Sequence, residues 1–369
     1  MADLPPLKVR LTEQIRLDGP MTIADYMWAC LHDPYGGYYA TRPALGAEGD
    51  FITAPLVSQV FGELLGLWVL QVWQDMGAPE RINLVETGPG DGTLMADMHR
   101  AFALMPAFQT AATIYMLEAS APLKARQLER LPHIKHLDSL HHIPTDAPVI
   151  VIGNEILDCL PARQFQLAPD GWFERRVGLT ETGELCIGLI PAPEGFTAPF
   201  DAVSPQVAEI SPAQNQFIEA ISGIVKSASG AALFIDYGRD TPEAGDTLQA
   251  LYRHEKRDPL EAPGEHDLTQ WADFPSLMAT AARSGLHVAP LTPQGLFLQR
   301  LGIEARFEAL ASQNPDQAEK LFHQFERLTA EDEMGTLFKV MGLSYPPKPL
   351  PALDPSSYSP ISDGGDVTK

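Results

Sequence analysis

The feature that most constrains the fold is a glycine-rich segment that lies between two regular patterns, in residues 82–102. A run of mainly apolar residues, Ile82–Glu86, leads into the sequence Thr-Gly-Pro-Gly-Asp-Gly, and a helical pattern follows at Thr93–Phe102. Glycines at a strand-to-helix turn let the backbone bend sharply and approach a ligand at the carboxyl end of the strand. The segment therefore predicts a nucleotide-binding unit of an α/β sheet, and a glycine-rich turn without a ligand is the alternative.

The spacing of the three glycines separates two ligand classes. The dinucleotide fingerprint is Gly-x-Gly-x-x-Gly, because its third glycine admits close packing of the helix on the strand. In this chain the third glycine, Gly92, comes one residue early, and Thr93 stands at the fingerprint position. With Glu86 two residues before Gly88, the pattern resembles motif I of class I methyltransferases. The resemblance implies S-adenosylmethionine as the ligand, with Glu86 under its methionine moiety. The cradle would be formed by Gly88, Pro89, Gly90, Asp91, Gly92 and Thr93.

Short apolar runs alternate with helical patterns through the middle of the chain, which predicts a parallel sheet with helices on both faces. The predicted strands are Ile82–Glu86, Thr113–Leu117, His133–His136, Val149–Gly153 and Ala231–Ile235, with a last strand at Leu337–Met341. The predicted helices are Ser58–Asp75, Thr93–Phe102, Ala121–Leu131, Pro212–Ala228 and Phe274–Ser284. The expected fold class is α/β, a Rossmann-like class I methyltransferase sheet.

Segments outside this alternation suggest three regions. Residues 1–80 are expected to form an N-terminal helical segment, Leu7–Leu17 and Ile23–Leu31, with a loop that covers the pocket. Residues 81–343 form the catalytic domain, with insertions at about 160–212, a β-meander, and at about 239–330, irregular up to residue 269. A strand is also expected at Leu286–Leu291. Residues 344–369 are rich in Pro, Ser and Asp, so we expect a disordered tail.

Two strand ends after the glycine loop support a nucleoside ligand. Glu118 ends the second strand, where a carboxylate can accept hydrogen bonds from both ribose hydroxyls. Dinucleotide enzymes use the same acid, and an acid ending a strand is often only a solvated surface residue, so Glu118 does not choose the ligand. Asp138, Ser139 and Leu140 follow the third strand, where methyltransferases of this class place an acid or serine near the adenine. Asp-Ser is also common turn chemistry.

Polar side chains after the fourth strand are candidates for the acceptor side. Methyl transfer from a sulfonium needs alignment of an acceptor lone pair with the methyl group and removal of the acceptor's proton. A guanidinium acceptor needs carboxylates to hold its planar fork. Asn154, Glu155 and Asp158 are suitably placed, since Glu155 and Asp158 lie one helical turn apart. Alternatively, Asp158 caps a helix and only Asn154 and Glu155 face the pocket.

With these residues placed, the chain resembles the MidA family over about residues 10–342. The resemblance rests on seven ordered motifs: HDPYGGYY (32–39), GDFITAPLVSQVFGELLG (49–66), ETGPGDGTL (86–94), NEILDCLPARQF (154–165), FIDYG (234–238), GEHDLTQWADF (264–274) and MGTLFKV (334–340). Mitochondrial members of that family are arginine methyltransferases required for assembly of respiratory complex I. The resemblance therefore implies a protein substrate, a complex I subunit methylated on arginine.

The same resemblance assigns further residues. Asp50, Thr53, Gln59 and Glu63 would lie over the pocket, and Asp236, Tyr237, His266 and Asp267 would line the acceptor side. His266 and Asp267 are alternatively a core pair, and Asp236 alternatively only ends a strand. The chain departs from the family at Leu56, usually an acid, and at Ala272, usually a valine. The first departure puts a surface or substrate contact in doubt, and neither touches the glycine loop.

Charge and cysteine content narrow the partners and the compartment. The formal net charge is −22, and a surface this acidic repels nucleic acid and anionic lipid. Three cysteines without a CxxC pair argue against a disulfide framework and a cysteine zinc site. The N-terminal residues lack a signal-peptide pattern and no apolar run is long enough to span a bilayer, so we expect a cytoplasmic protein that is not embedded in a membrane. Whether it forms a homodimer is left open by the sequence.

Two other functions remain alternatives at this stage. One is an assembly chaperone that binds S-adenosylmethionine and holds an unassembled complex I subunit, which the long insertions and acidic surface suggest. The other is a nicotinamide-dependent oxidoreductase. The glycine spacing and the lack of a clear set of hydride-transfer residues disfavour it.

Overall fold

A computed structural model of the protein describes residues 4–41, 53–252 and 255–354. The strands of these residues, in chain order, are β1 Met21–Thr22, β2 Ile82–Thr87, β3 Ala112–Leu117, β4 Lys135–Leu137, β5 Val149–Asn154, β6 Arg163–Ala168, β7 Gly171–Leu179, β8 Leu185–Pro191, β9 Val207–Ile210, β10 Ala231–Arg239, β11 Gln249–Tyr252, β12 Glu255–Arg257, β13 Asp267–Thr269, β14 Ala272–Asp273, β15 His287–Val288, β16 Thr292–Pro293 and β17 Phe338–Ser344.

The helices of the described residues are α1 Leu7–Asp18, α2 Ile23–His32, α3 Tyr38–Thr41, α4 Ala54–Val57, α5 Gln59–Asp75, α6 Thr93–Phe102, α7 Pro106–Ala111, α8 Ala121–Arg130, α9 Pro212–Ala228, α10 Phe274–Arg283, α11 Gln294–Arg300, α12 Ile303–Gln313, α13 Ala318–Thr329 and α14 Met334–Leu337. Two short 3-10 helices lie at Leu140–His142 and Pro315–Gln317. None of these helices combines the length and the apolar character that crossing a membrane requires.

The central sheet has the strand order β15-β17-β10-β5-β2-β3-β4, with β14 paired to β10 and β16 paired to β17. Strands β4, β3, β2, β5 and β10 run parallel to one another, whereas β17 is antiparallel to β10. The chain order reverses at β2, which has β3 on one side and β5 on the other. The predicted α/β fold with a parallel sheet is therefore confirmed, and the crevice at β2 is where open α/β sheets bind ligands.

Side chains of successive strand residues enter two separate apolar cores, as the two-residue period of a strand requires. Leu84 and Ile150 face a core built with α5, α6 and α7, whereas Val85 and Val151 face a core built with α9 and α10. All six residues of β2 and all six of β5 are buried. Helices cover both faces of the sheet, and the carboxyl ends of its strands carry the polar side chains described below.

The predicted β-meander after β5 is part of a larger sheet. Strands β6, β7 and β8 form it as expected, but β9 and the N-terminal β1 also join, since Met21 pairs with Val177 of β7. The expectation of an irregular insertion between residues 239 and 269 is wrong, because β11, β12 and β13 form an antiparallel sheet there. Alternating patterns in such short strands are too brief to recognise in the sequence.

Two further expectations about the C-terminal part are wrong. The strand expected at Leu286–Leu291 is reduced to β15, because Pro290 lacks the backbone N–H that a continuing ladder needs. Residues 345–354 were expected in a disordered tail, but Leu350 and Leu353 are buried in the core beside α5. The indole Nε1 of Trp68 donates to the carbonyl oxygen of Pro351 at 3.1 Å. Residues 355–369 of the expected tail lie outside the described residues.

Candidate active site

A cavity of about 730 Å³ opens at the carboxyl ends of β2, β3 and β5. Its lining includes the last residues of these strands and the loops that follow, so it lies at the point where the strand order reverses. Of the residues predicted from the sequence, it brings together Thr53, Glu86, Gly88, Pro89, Gly90, Asp91, Thr93, Glu118, Asp138, Ser139, Asn154 and Glu155. The volume is in the range of sites that hold a molecule of cofactor size.

The glycine loop between β2 and α6 needs its glycines for conformation and for space. Gly88, Gly90 and Gly92 have φ values of +66°, +53° and +82°, in the left-handed region that side chains disfavour. A Cβ atom on Gly88 would lie 2.8 Å from Cδ1 of Ile156. Gly92 is the N-terminal cap residue of α6 and does not itself line the cavity in the described part of the chain.

Asp91 and Thr93 fix the second half of this loop. Oδ1 of Asp91 accepts hydrogen bonds from the backbone N–H of Thr93 at 3.0 Å and from its hydroxyl at 2.6 Å. Nη2 of Arg130, at the end of α8, donates to Oδ2 of Asp91 at 2.8 Å. The carboxylate is therefore held by the protein, and it orients the loop at the start of α6.

Glu86 lies beneath the loop with one carboxyl oxygen unused. Its side chain is buried, and Oε2 has no hydrogen-bond partner within the described residues. Burial, together with the nearby Asp91 carboxylate, raises the pKa of Glu86 well above its usual value. Because buried polar atoms almost always have partners, this oxygen indicates that a ligand supplies one.

Glu118 at the end of β3 faces the same cavity. Its Oε1 accepts from the backbone N–H of Ser120 at 2.7 Å, and Nε2 of Gln127 is 3.4 Å from its Oε2. The same amide of Gln127 donates to the carbonyl oxygen of Gly90 at 2.6 Å, which ties α8 to the glycine loop. Burial raises the pKa of Glu118. The role of Gln127 could not be predicted from the sequence, since nothing distinguishes it from the other polar residues of its helix.

Asp138 and Ser139 contribute to the rim of the cavity beyond β4. Asp138 pairs with the ammonium group of Lys124, which holds the pKa of this exposed carboxyl below its usual value. The hydroxyl of Ser139 accepts from the backbone N–H of His141 and caps a short 3-10 helix. Leu140 does not line the cavity among the described residues, because it begins that helix.

These features fit S-adenosylmethionine on observations of the chain itself. Gly88 lines the cavity and has no space for a side chain beside Ile156, and Glu118 presents a carboxyl group at the end of the second strand. Glu86 has a buried oxygen without a partner in the described chain. Oδ1 of Asn154 is likewise buried without a partner in the described chain. A cofactor with hydroxyl and ammonium donors matches such a set of acceptors.

Glu155, directly after β5, is the predicted acceptor-side residue that reaches the cavity in an unusual backbone conformation. Its φ is +51°, which is rare for a residue with a side chain, and strained backbone of this kind clusters at functional sites. Oε1 accepts from the backbone N–H of Ala54 at 3.2 Å and from Nδ2 of Asn154 at 3.0 Å. Oε2 makes no hydrogen bond within the described residues. Burial, then the charge of Asp158, raises the pKa of Glu155 to about 7.

Asp158, Asp236 and Tyr237, predicted for the acceptor side, are not among the described residues that line this cavity. Their side chains form a buried network below it. Oδ2 of Asp236 accepts from the backbone N–H of Leu157 at 2.8 Å and of Asp158 at 3.2 Å. The hydroxyl of Tyr237 donates to Oδ2 of Asp158 at 2.7 Å. Burial raises the pKa of Asp158 to about 6. Burial, together with the carboxyl groups of Asp158 and Glu155, raises the pKa of Asp236 well above its usual value. The network holds the loop that presents Glu155.

Five further residues assigned by resemblance lie away from the cavity or outside the described chain: Asp50, Gln59, Glu63, His266 and Asp267. Gln59 is exposed and donates to Oε1 of Glu63, which pairs with Arg306 instead of covering the pocket. His266 is buried against the ring of Tyr252 and does not line the cavity in the described ranges. Asp50 lies outside the described residues.

Comparison with known proteins decides the family. A family model described as S-adenosyl-L-methionine-dependent methyltransferases matches residues 64–292, more than half of the chain. The chain belongs to this family. The predicted methyltransferase function and its cofactor, S-adenosylmethionine, are thereby confirmed, and the nicotinamide-dependent alternative is excluded.

The relatives of this methyltransferase align with it over most of both chains. The protein named "protein arginine methyltransferase NDUFAF7, mitochondrial" of Mus musculus is 33% identical over 370 residues, covering 92% of this chain and 84% of the relative. The protein of the same name of Danio rerio is 32% identical, covering 89% and 84%. A structure from Burkholderia thailandensis bound to S-adenosyl-homocysteine has a TM-score of 0.83 at 27% identity, covering 94% of each chain. The resemblance drawn from the seven motifs is confirmed.

The methyltransferase cavity also has lining residues to which sequence reasoning gave no role. They are mostly apolar or aromatic and include His32, Pro34, Tyr39, Ala40, Pro55, Leu56, Ile156, Cys159 and Phe217. His32 and Tyr39 belong to the motif HDPYGGYY, which served only for the resemblance. Its richness in Gly, Pro and aromatic residues was the one signal for this wall, and nothing in the sequence shows that it packs beside β5.

Proposed function

We propose that this methyltransferase methylates the guanidinium group of an arginine in a protein. The observation that carries the proposal is the carboxyl group of Glu155. One oxygen is anchored by Ala54 and Asn154, and the other is unpartnered in the described chain, at the cavity that also contains the glycine loop. A planar guanidinium has only donors, so an anchored carboxylate with a free oxygen is a suitable partner.

In the proposed reaction the cofactor supplies the methyl group and Glu155 binds and deprotonates the acceptor. When bound, S-adenosylmethionine supplies an electrophilic methyl group on a sulfonium. Glu155 accepts a hydrogen bond from an N–H group of the guanidinium. This contact localises a lone pair on the nitrogen that is to be methylated. The same carboxyl group takes up the proton that the methylated nitrogen releases. Its pKa of about 7 suits a group that must both accept and return a proton near neutral pH.

Asn154 and the buried network below the loop keep this carboxyl group in place. Asn154 donates to Oε1 of Glu155, which leaves Oε2 for the acceptor. Asp236 holds the backbone of Leu157 and Asp158, one turn further along the chain. Of the residues predicted for the acceptor side, Asn154 and Glu155 line the cavity, whereas Asp158, Asp236 and Tyr237 act through the loop that presents Glu155. His266 lies away from the cavity and has no part in the proposed reaction.

The choice of a protein arginine is supported by the relatives, whose names describe protein arginine methyltransferases. The resemblance to the MidA family adds a subunit of respiratory complex I as the acceptor. A net charge of −22 favours a basic segment around the target arginine over an acidic one.

We also propose a cytoplasmic location, and a homodimer is possible for the assembly state. All three cysteines are free thiols, which supports a reducing compartment such as the cytoplasm, although the relatives are named mitochondrial. Cell fractionation with an antibody to the protein tests this. A homodimer is tested by light scattering of the purified chain, and a mass near 40.3 kDa would exclude it.

Mass spectrometry of arginine methylation in cells with and without this protein tests the function. We expect a methylated arginine on a complex I subunit that disappears on deletion and returns with the wild-type chain but not with Glu155→Gln. A variant that restores complex I assembly without restoring the methyl group would favour the chaperone alternative. An unchanged arginine methylome would exclude arginine as the acceptor.

A further inference from the structure

We propose that His32 recognises the acceptor by accepting a hydrogen bond from its guanidinium group, beside the ring of Tyr39. This assignment rests on the proposed arginine acceptor and makes the N-terminal segment part of substrate recognition. His32, Tyr39 and Glu155 all line this cavity.

The position of His32 is fixed by local structure. It is the last residue of α2, and the following residue, Asp33, accepts two hydrogen bonds from the guanidinium of Arg10, at 2.6 and 2.7 Å. A bidentate pair of this kind holds the turn that leads to Tyr39. The His32 ring lies 4.3 Å from the ring of Trp28 and 5.6 Å from that of Tyr39, measured between centroids.

The imidazole carries an unused hydrogen-bonding atom. Nε2 of His32 is buried and has no hydrogen-bond partner within the described residues. Groups left in this state destabilise a protein, so a native one indicates a missing partner. The cavity is the place from which that partner can come, and the broad, two-fold χ2 preference of histidine lets the ring turn towards it.

The neutral ring can accept a hydrogen bond from a cationic donor. Burial lowers the pKa of His32 to about 4, so the imidazole is neutral at physiological pH and offers a lone pair instead of a charge. A base this weak does not retain the proton released in the reaction, which leaves that part to Glu155. His32 is therefore assigned to binding.

The same wall distinguishes arginine from lysine. Tyr39 donates its hydroxyl to Oδ1 of Asp267 at 3.2 Å, which fixes the plane of its ring. Aromatic rings of this kind stack well on a flat guanidinium, and five N–H donors in a fork can serve several acceptors at once. A lysine ammonium is a compact, strongly hydrated group, for which such a wall offers less.

Two substitutions separate the hydrogen bond from the ring. His32→Phe keeps an aromatic ring between Trp28 and Tyr39 but removes the acceptor, whereas His32→Gln keeps an acceptor atom and removes the ring. His133→Phe is the matched control, since His133 is exposed and lies outside the cavity lining of the described chain. Calorimetry with S-adenosyl-homocysteine checks that all three variants fold and bind the cofactor product.

Steady-state transfer to an acetylated, amidated peptide with a central arginine is the first readout. We expect the KM for the peptide to rise about ten-fold or more in His32→Phe, the size of a lost hydrogen bond to a charged group. His32→Gln should stay within about three-fold of wild type, and the KM for S-adenosylmethionine should not change. A wild-type KM for the peptide in His32→Phe overturns the proposal.

A second readout does not depend on methyl transfer. In protein labelled with ¹⁵N-histidine and saturated with S-adenosyl-homocysteine, the Nε2 resonance of His32, identified by its loss in His32→Gln, should shift on adding the arginine peptide. It should not shift with the lysine counterpart. If this shift occurs but no arginine is methylated, the proposed function fails and the recognition role stands. If arginine is methylated while the resonance stays unmoved, the recognition role fails and the function stands.

Discussion

Replacing Glu155 by glutamine is the perturbation that bears most directly on the proposed chemistry. The glutamine carbonyl oxygen can take the place of Oε1 and keep the hydrogen bonds from Ala54 and Asn154. Its NH₂ group would then stand where Oε2 stands in the wild type. A donor would thus face the guanidinium, which itself has only donors.

The size of the effect follows from what the substitution removes. Loss of a hydrogen bond to a charged group costs about 1.5–3 kcal/mol, or about ten-fold to 150-fold in rate. Loss of the proton acceptor costs about 10²–10⁴-fold. Since one carboxyl group performs both tasks, the effects overlap and we expect kcat to fall about 10³-fold. Folding should be unaffected or slightly favoured, because an ionisable group is removed next to Asp158.

Transfer of a tritiated methyl group to a protein extract from deletion cells measures this effect. Glu184→Gln is a matched control, since Glu184 is an exposed acid that pairs with Lys8 on the surface. Both variants should bind S-adenosyl-homocysteine like the wild type. A Glu155→Gln enzyme within about three-fold of the wild-type rate would refute the role given to this carboxyl group.

Three further outcomes follow from the site. The kcat/KM of the wild type should fall as the pH drops through about 7, because the raised pKa of Glu155 leaves its carboxyl protonated below that value; a flat profile from pH 6 to 8 contradicts this. Gly88→Ala should abolish calorimetric binding of S-adenosyl-homocysteine, whereas Gly77→Ala, also at positive φ but with no atom within 4 Å of its Cβ, should lower Tm and keep binding. Glu86→Gln should weaken cofactor binding but raise the Tm of the ligand-free protein at pH 8, with a gain of about 1 kcal/mol in the free energy of unfolding.

The sign of the Glu86 effect follows from its raised pKa. The folded protein retains the proton of this carboxyl at a pH where the unfolded chain has released it. The stability that Glu86 contributes is therefore present at low pH and lost as the pH rises, and glutamine removes that loss. Thermal unfolding of both proteins at pH 5 and pH 8 should show a larger gain at pH 8. An equal gain at both values would contradict this reasoning.

The central sheet could be predicted because its strands are buried on both faces and separated by regular helices. Strands β2, β5 and β10 are buried along their whole length and contain runs of apolar residues, a pattern typical of a parallel sheet. Strands of two to four residues, such as β9 and β14, have too few positions to show a period. The segment around Leu350 and Leu353 was hidden by its proline content, although its leucines were enough to anchor it.

The three carboxyl groups that line the cavity at strand ends were predictable for a related reason. Glu86, Glu118 and Glu155 each stand at or just after the end of a parallel strand, and such ends share one edge of the sheet. The local sequence does not determine which way a side chain at that edge points. Asp236 is also near a strand end, but its carboxylate turns inward to three backbone N–H groups. The wall that carries His32 reaches the cavity only through tertiary packing.

The most direct test of the central claim is transfer of a trideuteriomethyl group from labelled S-adenosylmethionine, followed by peptide mass spectrometry. The purified enzyme is incubated with an extract of cells that lack it, and the modified residues are located by fragmentation. We expect the label on an arginine side chain, and none with Glu155→Gln. Label found on lysine, on another residue type or on no protein would contradict the account.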